Sequence, residues 1–386
     1  KVPMVAVVTV GTGGGSIAWV PGDTHPPALK VGPRSAGADP GPICYAKGGT
    51  DPTVTDAAVV LGRIPAHLLG GEIPLDVAAA GAGLERLAGA VGMTVGACAA
   101  GVLEIAAWNQ ANAIRRVTVR RGLDVRDFAL ASFGGSGPLL ACRLLDVLGL
   151  QAVLVPPEPG SLSAFGLLTV DVRVDDVRTA VQRNADLDLA AVGRIWAGLV
   201  ADAAAALRRE GFADDQHRFA RAADLRYEGQ AFEVRVVVPD GPVDAALATQ
   251  VVARFHAEHE RLYGYCYRSE PEPDERGRAG TAAGAALPSV EWVNLRVTGI
   301  GPVRRPGLPP LQTGDGDPSR ARTGERPVLF DQAWQRTGTY DRAKLLAGDR
   351  LAGPAVVEEF GSTLPLAPGF AARVDGAGNL IVEEAG

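Results

Sequence analysis

The sequence is poor in several residue types that announce function. Cysteine is scarce, with only Cys44, Cys98, Cys142 and Cys266 in 386 residues and no CxxC pair. That spacing excludes a disulfide framework and a zinc knuckle. Histidine occurs five times and methionine twice, and aromatic residues make up 5% of the chain. No excess of positive charge exists either: 38 Lys+Arg stand against 44 Asp+Glu, a net charge of −6. Without a strong positive field there is nothing to condense on phosphodiester, so nucleic acid is not expected as a partner. The uncharged run Leu87–Leu103 contains four glycines and Thr94, which reads as a buried turn leading into a helix rather than a membrane span. The opening run VPMVAVVTV has no signal-peptide pattern, and a reducing cytoplasm is the expected location. Because residue 1 is Lys, the chain is expected to begin inside a longer protein or after processing.

Glycine and proline are abundant instead, 49 and 28 residues, so turns and close backbone approaches should be frequent. With 47% hydrophobic and 21% charged residues, a globular chain of two or three domains is expected. A buried strand is predicted over 2–10, then a hairpin from IAWV and ALKV, then irregular chain over 32–53. Thr55 is expected to cap a helix over 56–62, followed by helices at about 76–90 and 95–120. Strand 127–133, the turn GGSGP, a helix at about 138–149 and strand 152–155 make a βαβ pattern and predict a mainly parallel sheet. Beyond residue 175 the character changes, with helices at 188–210 and 244–262 and strands at 218–227, 231–238, 290–299, 327–333, 354–359 and 378–383. Two domains are expected, 1–175 and 176–386, with mobile linkers near 268–289 and 301–325.

Four local patterns can carry chemistry. In FGGSGP (Phe133–Pro138) a strand runs into a glycine turn with proline at the first helical position. Such a turn can present free N–H groups and a positive dipole end to a ligand, or can simply pack tightly. It lacks the lysine of a Walker loop. GTGGGS (Gly11–Ser16) can form an N–H nest for phosphate or a structural turn, and matches no dinucleotide fingerprint. The 32–56 stretch carries Arg34, Asp39, Asp51 and Asp56, whose carboxylates could hold Mg²⁺ or activate a hydroxyl or water. The competing reading makes Asp39 and Asp51 turn initiators before proline and puts Asp56 at a helix N-terminus. His256 and His259, three apart in FHAEHERLYGY, lack the H-E-x-x-H spacing and suit a solvated helix face ending in a packed Tyr263/Tyr265 corner better than a metal. Cys44, isolated in its loop, is expected to be inert.

Together the runs TVGTGGGSIAWV, LKVGPRSAGADPGPICYAKGGTDPTVTDAAVVLGRI, FALASFGGSGPL, VLVPPEPGSLSAFGLL, DLRYEGQAFEV, FHAEHERLYGY and GPAVVEEFGSTLPLAPG resemble the hydantoinase A / 5-oxoprolinase family, which includes subunits of acetone and acetophenone carboxylases. The resemblance implies an α/β fold: an actin-like ATPase (ribonuclease-H-like) lobe followed by an α+β, β-rich C-terminal domain. It implies ATP with Mg²⁺ (or Mn²⁺), a small-molecule substrate, and activation of a cyclic amide or imide by phosphorylation, finished by a hydantoinase B-type partner subunit. The alternatives are a ketone carboxylase subunit, a scaffold that has lost ATP chemistry, or a sugar- or acid-kinase-like enzyme. By the same resemblance Gly13, Gly14, Gly15, Ser16, Gly134, Gly135, Ser136 and Gly137 are nucleotide-binding, Asp39 and Asp56 catalytic, and Arg34 substrate-binding. Two departures stand out. Val8 occupies the place of a family histidine, and no DxGGT-type phosphate loop occurs in the sequence. The chain therefore resembles the C-terminal part of such a subunit, with the N-terminal part elsewhere.

Overall fold

A computed structural model describes residues 7–22, 25–267, 288–307 and 309–385. The chain divides in space into two compact units, Leu168–Pro306 and a discontinuous one built from Met4–Leu167 and Gly307–Gly386. In space the described residues of 307–386 pack with those of 4–167, because their strands complete the sheet that the βαβ element begins.

In the discontinuous unit, β1 (Ser16–Trp19) and β2 (Lys30–Ser35) form the expected antiparallel hairpin. The predicted strand over 2–10 is not found in its described part, since residues 7–10 are irregular. Helix α1 (Val54–Val60) is capped by Thr53, not Thr55: the Thr53 hydroxyl accepts from the Asp56 N–H and the Asp56 carboxylate accepts from the Thr53 N–H. Short strands β3 (His67–Leu68) and β4 (Ile73–Pro74) follow. Helices α2 (Val77–Val91) and α3 (Val95–Val119) match the predicted spans, each N-capped by a side chain, Asp76 and Thr94. They meet at a bend of 88°, so the uncharged 87–103 run is a helix corner. Their apolar faces put Leu84, Leu87, Val102, Leu103 and Ala106 into the main core, where a fully buried leucine contributes about 1.5–3 kcal/mol.

The strands β5 (Leu130–Ala131) and β6 (Val153–Val155) are parallel across α4 (Ala141–Leu148), as the βαβ reading requires. The short helix α5 (Leu162–Leu167) ends this first stretch of the unit. The sheet is nonetheless mostly antiparallel, since the C-terminal strands supply its other members.

The unit Leu168–Pro306 is a four-stranded antiparallel sheet backed by two helices. Its elements are β7 (Val172–Arg183), α6 (Leu189–Arg209), β8 (Arg218–Tyr227), β9 (Val234–Val238), α7 (Ala245–Tyr263) and β10 (Val290–Gly301), with strand order β7-β10-β8-β9. Helix α6 is apolar and long enough to cross a membrane by composition. Here it packs on β10 and β7, with Val192, Trp196, Leu199 and Leu207 in the core and Trp196 edge-on to Trp292. On β8, Asp224 is buried between Arg235 (3.1 Å) and Arg296 (2.6 Å). The first expected linker, 268–289, lies almost wholly outside the described residues.

The chain then returns to the discontinuous unit. Over the described part of 309–325 the backbone is anchored rather than free: the Leu311 N–H donates to Gly376, the Gly314 N–H to Ala347, and residues 322–325 already belong to a strand. The strands are β11 (Arg322–Phe330), β12 (Ala333–Asp341), β13 (Arg350–Ala352), β14 (Ala355–Glu359), β15 (Ser362–Leu366), β16 (Phe370–Val374) and β17 (Leu380–Glu384). One sheet runs β11-β12-β14-β15, the other β13-β16-β17-β6-β5.

Candidate functional site

The two glycine-rich turns, 120 residues apart in sequence, meet at one cavity of about 630 Å³ inside the discontinuous unit. That volume falls in the range of small-molecule sites. Gly14 and Gly15 form one edge and Gly135 and Ser136 the next; a Cβ on Gly14 would lie 3.7 Å from the Ser136 Cβ and 2.7 Å from the Thr55 hydroxyl. Only glycine fits there. Thr55 holds the first turn by donating both its N–H (2.9 Å) and its hydroxyl (3.0 Å) to the Gly14 carbonyl. Among the described residues, the N–H groups of Gly14, Gly15, Gly135 and Ser136 donate to no protein acceptor. Such clustered donors suit an anion or a polar ligand.

The other half of each glycine motif is structural. The Ser16 hydroxyl, in a buried residue, accepts from the Gly13 N–H (2.9 Å) and closes the turn. The Gly134 N–H donates to Pro159, and Gly137 donates to Gly134 while its backbone packs on Phe133. Gly13, Ser16, Gly134 and Gly137 thus shape the turns, and Gly14, Gly15, Gly135 and Ser136 line the space.

The two candidate catalytic carboxylates are not brought together. Asp56 is fully buried and accepts from the N–H groups of Ile43 (3.2 Å), Cys44 (2.8 Å) and Thr53 (2.8 Å) and from the Thr53 hydroxyl (2.8 Å). Its acceptor capacity is spent on fastening the 42–53 loop to α1, which corrects the catalytic reading. Asp39 and Arg34 are exposed and neither lines the cavity. From the same stretch, Gly37, Pro42, Tyr45 and Thr55 do. Cys44 is inert as expected: burial first, then the nearby Asp56 charge, pushes its thiol far up, so it stays protonated.

One wall of the cavity escaped the sequence reading as a site. The turn between β14 and β15 (Glu359–Ser362) projects its backbone against the second glycine turn. The Ser362 hydroxyl donates to the Gly135 carbonyl (3.1 Å), and a Cβ on Gly135 would lie 3.2 Å from the Gly361 oxygen. Glu359 accepts from the Glu158 N–H (2.7 Å), and its carboxylate stands 3.6 Å from the Arg342 guanidinium. Burial raises the Glu359 pKa, with Arg342 opposing. Burial likewise lowers that of Arg342, which donates to the carbonyls of Val155 and Gly378. The only hint in sequence was GPAVVEEFGSTLPL, two apolar strands around a polar tip.

The remaining lining is apolar at Ile64, Leu68, Leu69, Leu139 and Phe360, and acidic at Asp341, Glu358 and Glu359. These carboxylates are engaged with Lys344, Arg326 and Arg342. No Lys or Arg lines the cavity, and no group of three metal-ligating side chains occurs among the described residues. The His256/His259 region is not a solvated face: His259 is buried in an aromatic cluster with Tyr227, Phe255, Tyr263 and Tyr265, its Nδ1 2.8 Å from the Tyr265 carbonyl.

Residues 1–176 match the hydantoinase/oxoprolinase family profile, and residues 180–383 match the hydantoinase/oxoprolinase C-terminal domain. The chain belongs to the hydantoinase/oxoprolinase family. It is 35% identical over 381 residues to the caprolactamase subunit alpha of Pseudomonas jessenii, covering 97% of this chain and 52% of that protein. The crystal structure of ATP-dependent caprolactamase from Pseudomonas jessenii superposes with a TM-score of 0.69 at 33% identity, over 100% of this chain and 54% of that one. Nucleotide-free acetone carboxylase superposes with a TM-score of 0.86 at 24% identity, over 97% of this chain and 52% of that one, and so shares the fold. The chain spans 52% of the caprolactamase subunit alpha, 51% of the acetophenone carboxylase gamma subunit of Aromatoleum aromaticum and 30% of 5-oxoprolinase 1 of Arabidopsis thaliana.

Proposed function

We propose that this chain is the nucleotide-binding part of an ATP-dependent amidohydrolase that opens a cyclic amide or imide, its fold being one lobe of an actin-like ATPase. The observation that carries the reading is the convergence of the 13–16 and 134–137 turns on one cavity with four N–H groups that have no protein acceptor among the described residues. The family membership and the ATP-dependent caprolactamase among the relatives support it.

An amide carbonyl is a weak electrophile; ATP supplies the phosphoryl group that makes its oxygen a leaving group. Catalysis then rests on positioning and charge stabilisation. Within this chain, Gly14, Gly15, Gly135 and Ser136 bind and orient the nucleotide through their N–H groups. Thr55 keeps the first turn rigid, and the apolar wall excludes water from the base. With no Lys or Arg in the described lining, these residues do not neutralise three phosphates alone, and they form no ready cage for Mg²⁺ or Mn²⁺. Both features fit a triphosphate tail held by the N-terminal part of the same subunit. A hydantoinase B-type subunit would complete ring opening, and the assembly would work in the cytoplasm.

The test is a substrate screen on the complete natural assembly, measuring ADP release with hydantoins, lactams, 5-oxoproline and acetone. A lactam or imide that stimulates ADP release is expected, with Gly135→Val abolishing it. Stimulation by acetone with bicarbonate alone would move the protein to the carboxylase reading, and no nucleotide turnover with any substrate would leave the scaffold.

A further inference from the structure

The cavity wall has a fixed order of contacts. Gly135 adjoins the Gly361 backbone, with a Cβ on it 3.2 Å from the Gly361 oxygen; Gly361 follows Phe360, and the Phe360 ring lies on Gly70, where a Cβ would come within 3.2 Å of the ring. Phe360 is 51% exposed, a large aromatic left open inside a concave, partly apolar site. Its position is set from both sides. Glu359 is tied to the Glu158 N–H and Ser362 to the Gly135 carbonyl, and Gly70, at φ +64°, supplies a floor without a side chain.

We infer that Phe360 is the platform on which the nucleotide's base stacks, with the polar tail running past Gly361 toward the N–H groups of the glycine turns. This rests on the nucleotide reading above and adds the residue that holds the base. An aromatic face offers stacking to any base, so Phe360 contributes affinity rather than selectivity among bases. The arrangement also explains why the tip is short and doubly anchored, since a stacking surface is effective only when its ring is already in place.

The experiment is calorimetric titration of the complete natural protein with ATP, using Phe360→Leu, which keeps apolar bulk without a ring, and Phe360→Trp, which keeps a stacking face. Loss of one base-stacking contact predicts ATP binding weakened by roughly tenfold or more in the leucine variant. The tryptophan variant should stay within about threefold of the parent, and both melting temperatures without nucleotide should be unchanged. Unaltered affinity in Phe360→Leu, or equal loss in both variants, overturns the inference. A parent protein that binds no ATP overturns the nucleotide reading itself, a separate outcome.

Discussion

Asp56, fully buried, and Glu359, partly buried, are carboxylates of the same unit, and their surroundings give them opposite characters. Asp56 sits among four donors, three backbone N–H groups and a hydroxyl, and does not line the cavity. Glu359 has one backbone N–H and a guanidinium at 3.6 Å, borders the cavity, and has a pKa raised by burial. A buried acid with all its acceptor sites filled is an anchor. One that is incompletely solvated by the protein and sits at a cleft is the kind found at functional sites. The difference shows how a carboxylate on a glycine-rich loop can serve as a structural anchor, while a plain hairpin tip brings another to the cavity.

The comparison can be broken at four points. Asp56→Ala should be the most damaging, because three N–H groups and a hydroxyl lose their acceptor inside the core. At 1–3 kcal/mol for each buried unsatisfied group, a loss of about 4 kcal/mol or more is expected in chemical denaturation. An effect under about 1 kcal/mol would mean that the 42–53 loop is held some other way. Arg342→Ala should follow at about 3 kcal/mol, since it strands a partly buried carboxylate and two carbonyls.

Asp224→Asn in the other unit should cost about 2 kcal/mol. Burial opposes its charge, but hydrogen bonds from Arg296, Arg235 and Asn294 outweigh it, so its pKa is lowered. A lowered carboxyl stabilises the fold above the ordinary aspartate range and loses that contribution as pH falls through the folded value. The asparagine variant should therefore show a shallower acid-side fall in stability.

Glu359→Gln should have the smallest effect on the fold, under about 1 kcal/mol, because Arg342 keeps two carbonyl acceptors. Its signature is in pH. A raised carboxyl contributes stability below the ordinary glutamate range and loses it as pH rises through the folded value. Melting temperature against pH should therefore fall on the alkaline side of that window in the parent and be flatter in the variant. A steeper alkaline fall in Glu359→Gln would place Glu359 with Asp56 as an anchor.

Much of the fold was legible locally. The helices 77–91, 95–119, 189–209 and 245–263 follow apolar periodicity and side-chain caps, and the β5–α4–β6 crossover follows from a strand, a glycine turn and Pro138. What was not legible depends on long-range pairing. That β17 pairs with β6, so that residues 380–382 lie beside 153–155, has no local signature. The mainly parallel sheet was therefore a wrong expectation, and the return of the last strands to the first unit has no local mark. The same holds for the site. Gly14 and Gly135 were marked by their glycine runs, but Glu359, Phe360 and Gly361 reach the cavity only because two sheets of one unit fold together. Asp39 and Asp56 stood in a suggestive sequence, but the backbone uses the Asp56 carboxylate and Asp39 is exposed away from the cavity.

A crystal structure of the complete protein with a non-hydrolysable ATP analogue tests the central claim most directly. The account predicts the base against Phe360 and polar ligand atoms within hydrogen-bond distance of the N–H groups of Gly14, Gly15, Gly135 and Ser136. Nucleotide bound elsewhere, with this cavity filled only by solvent, would contradict it.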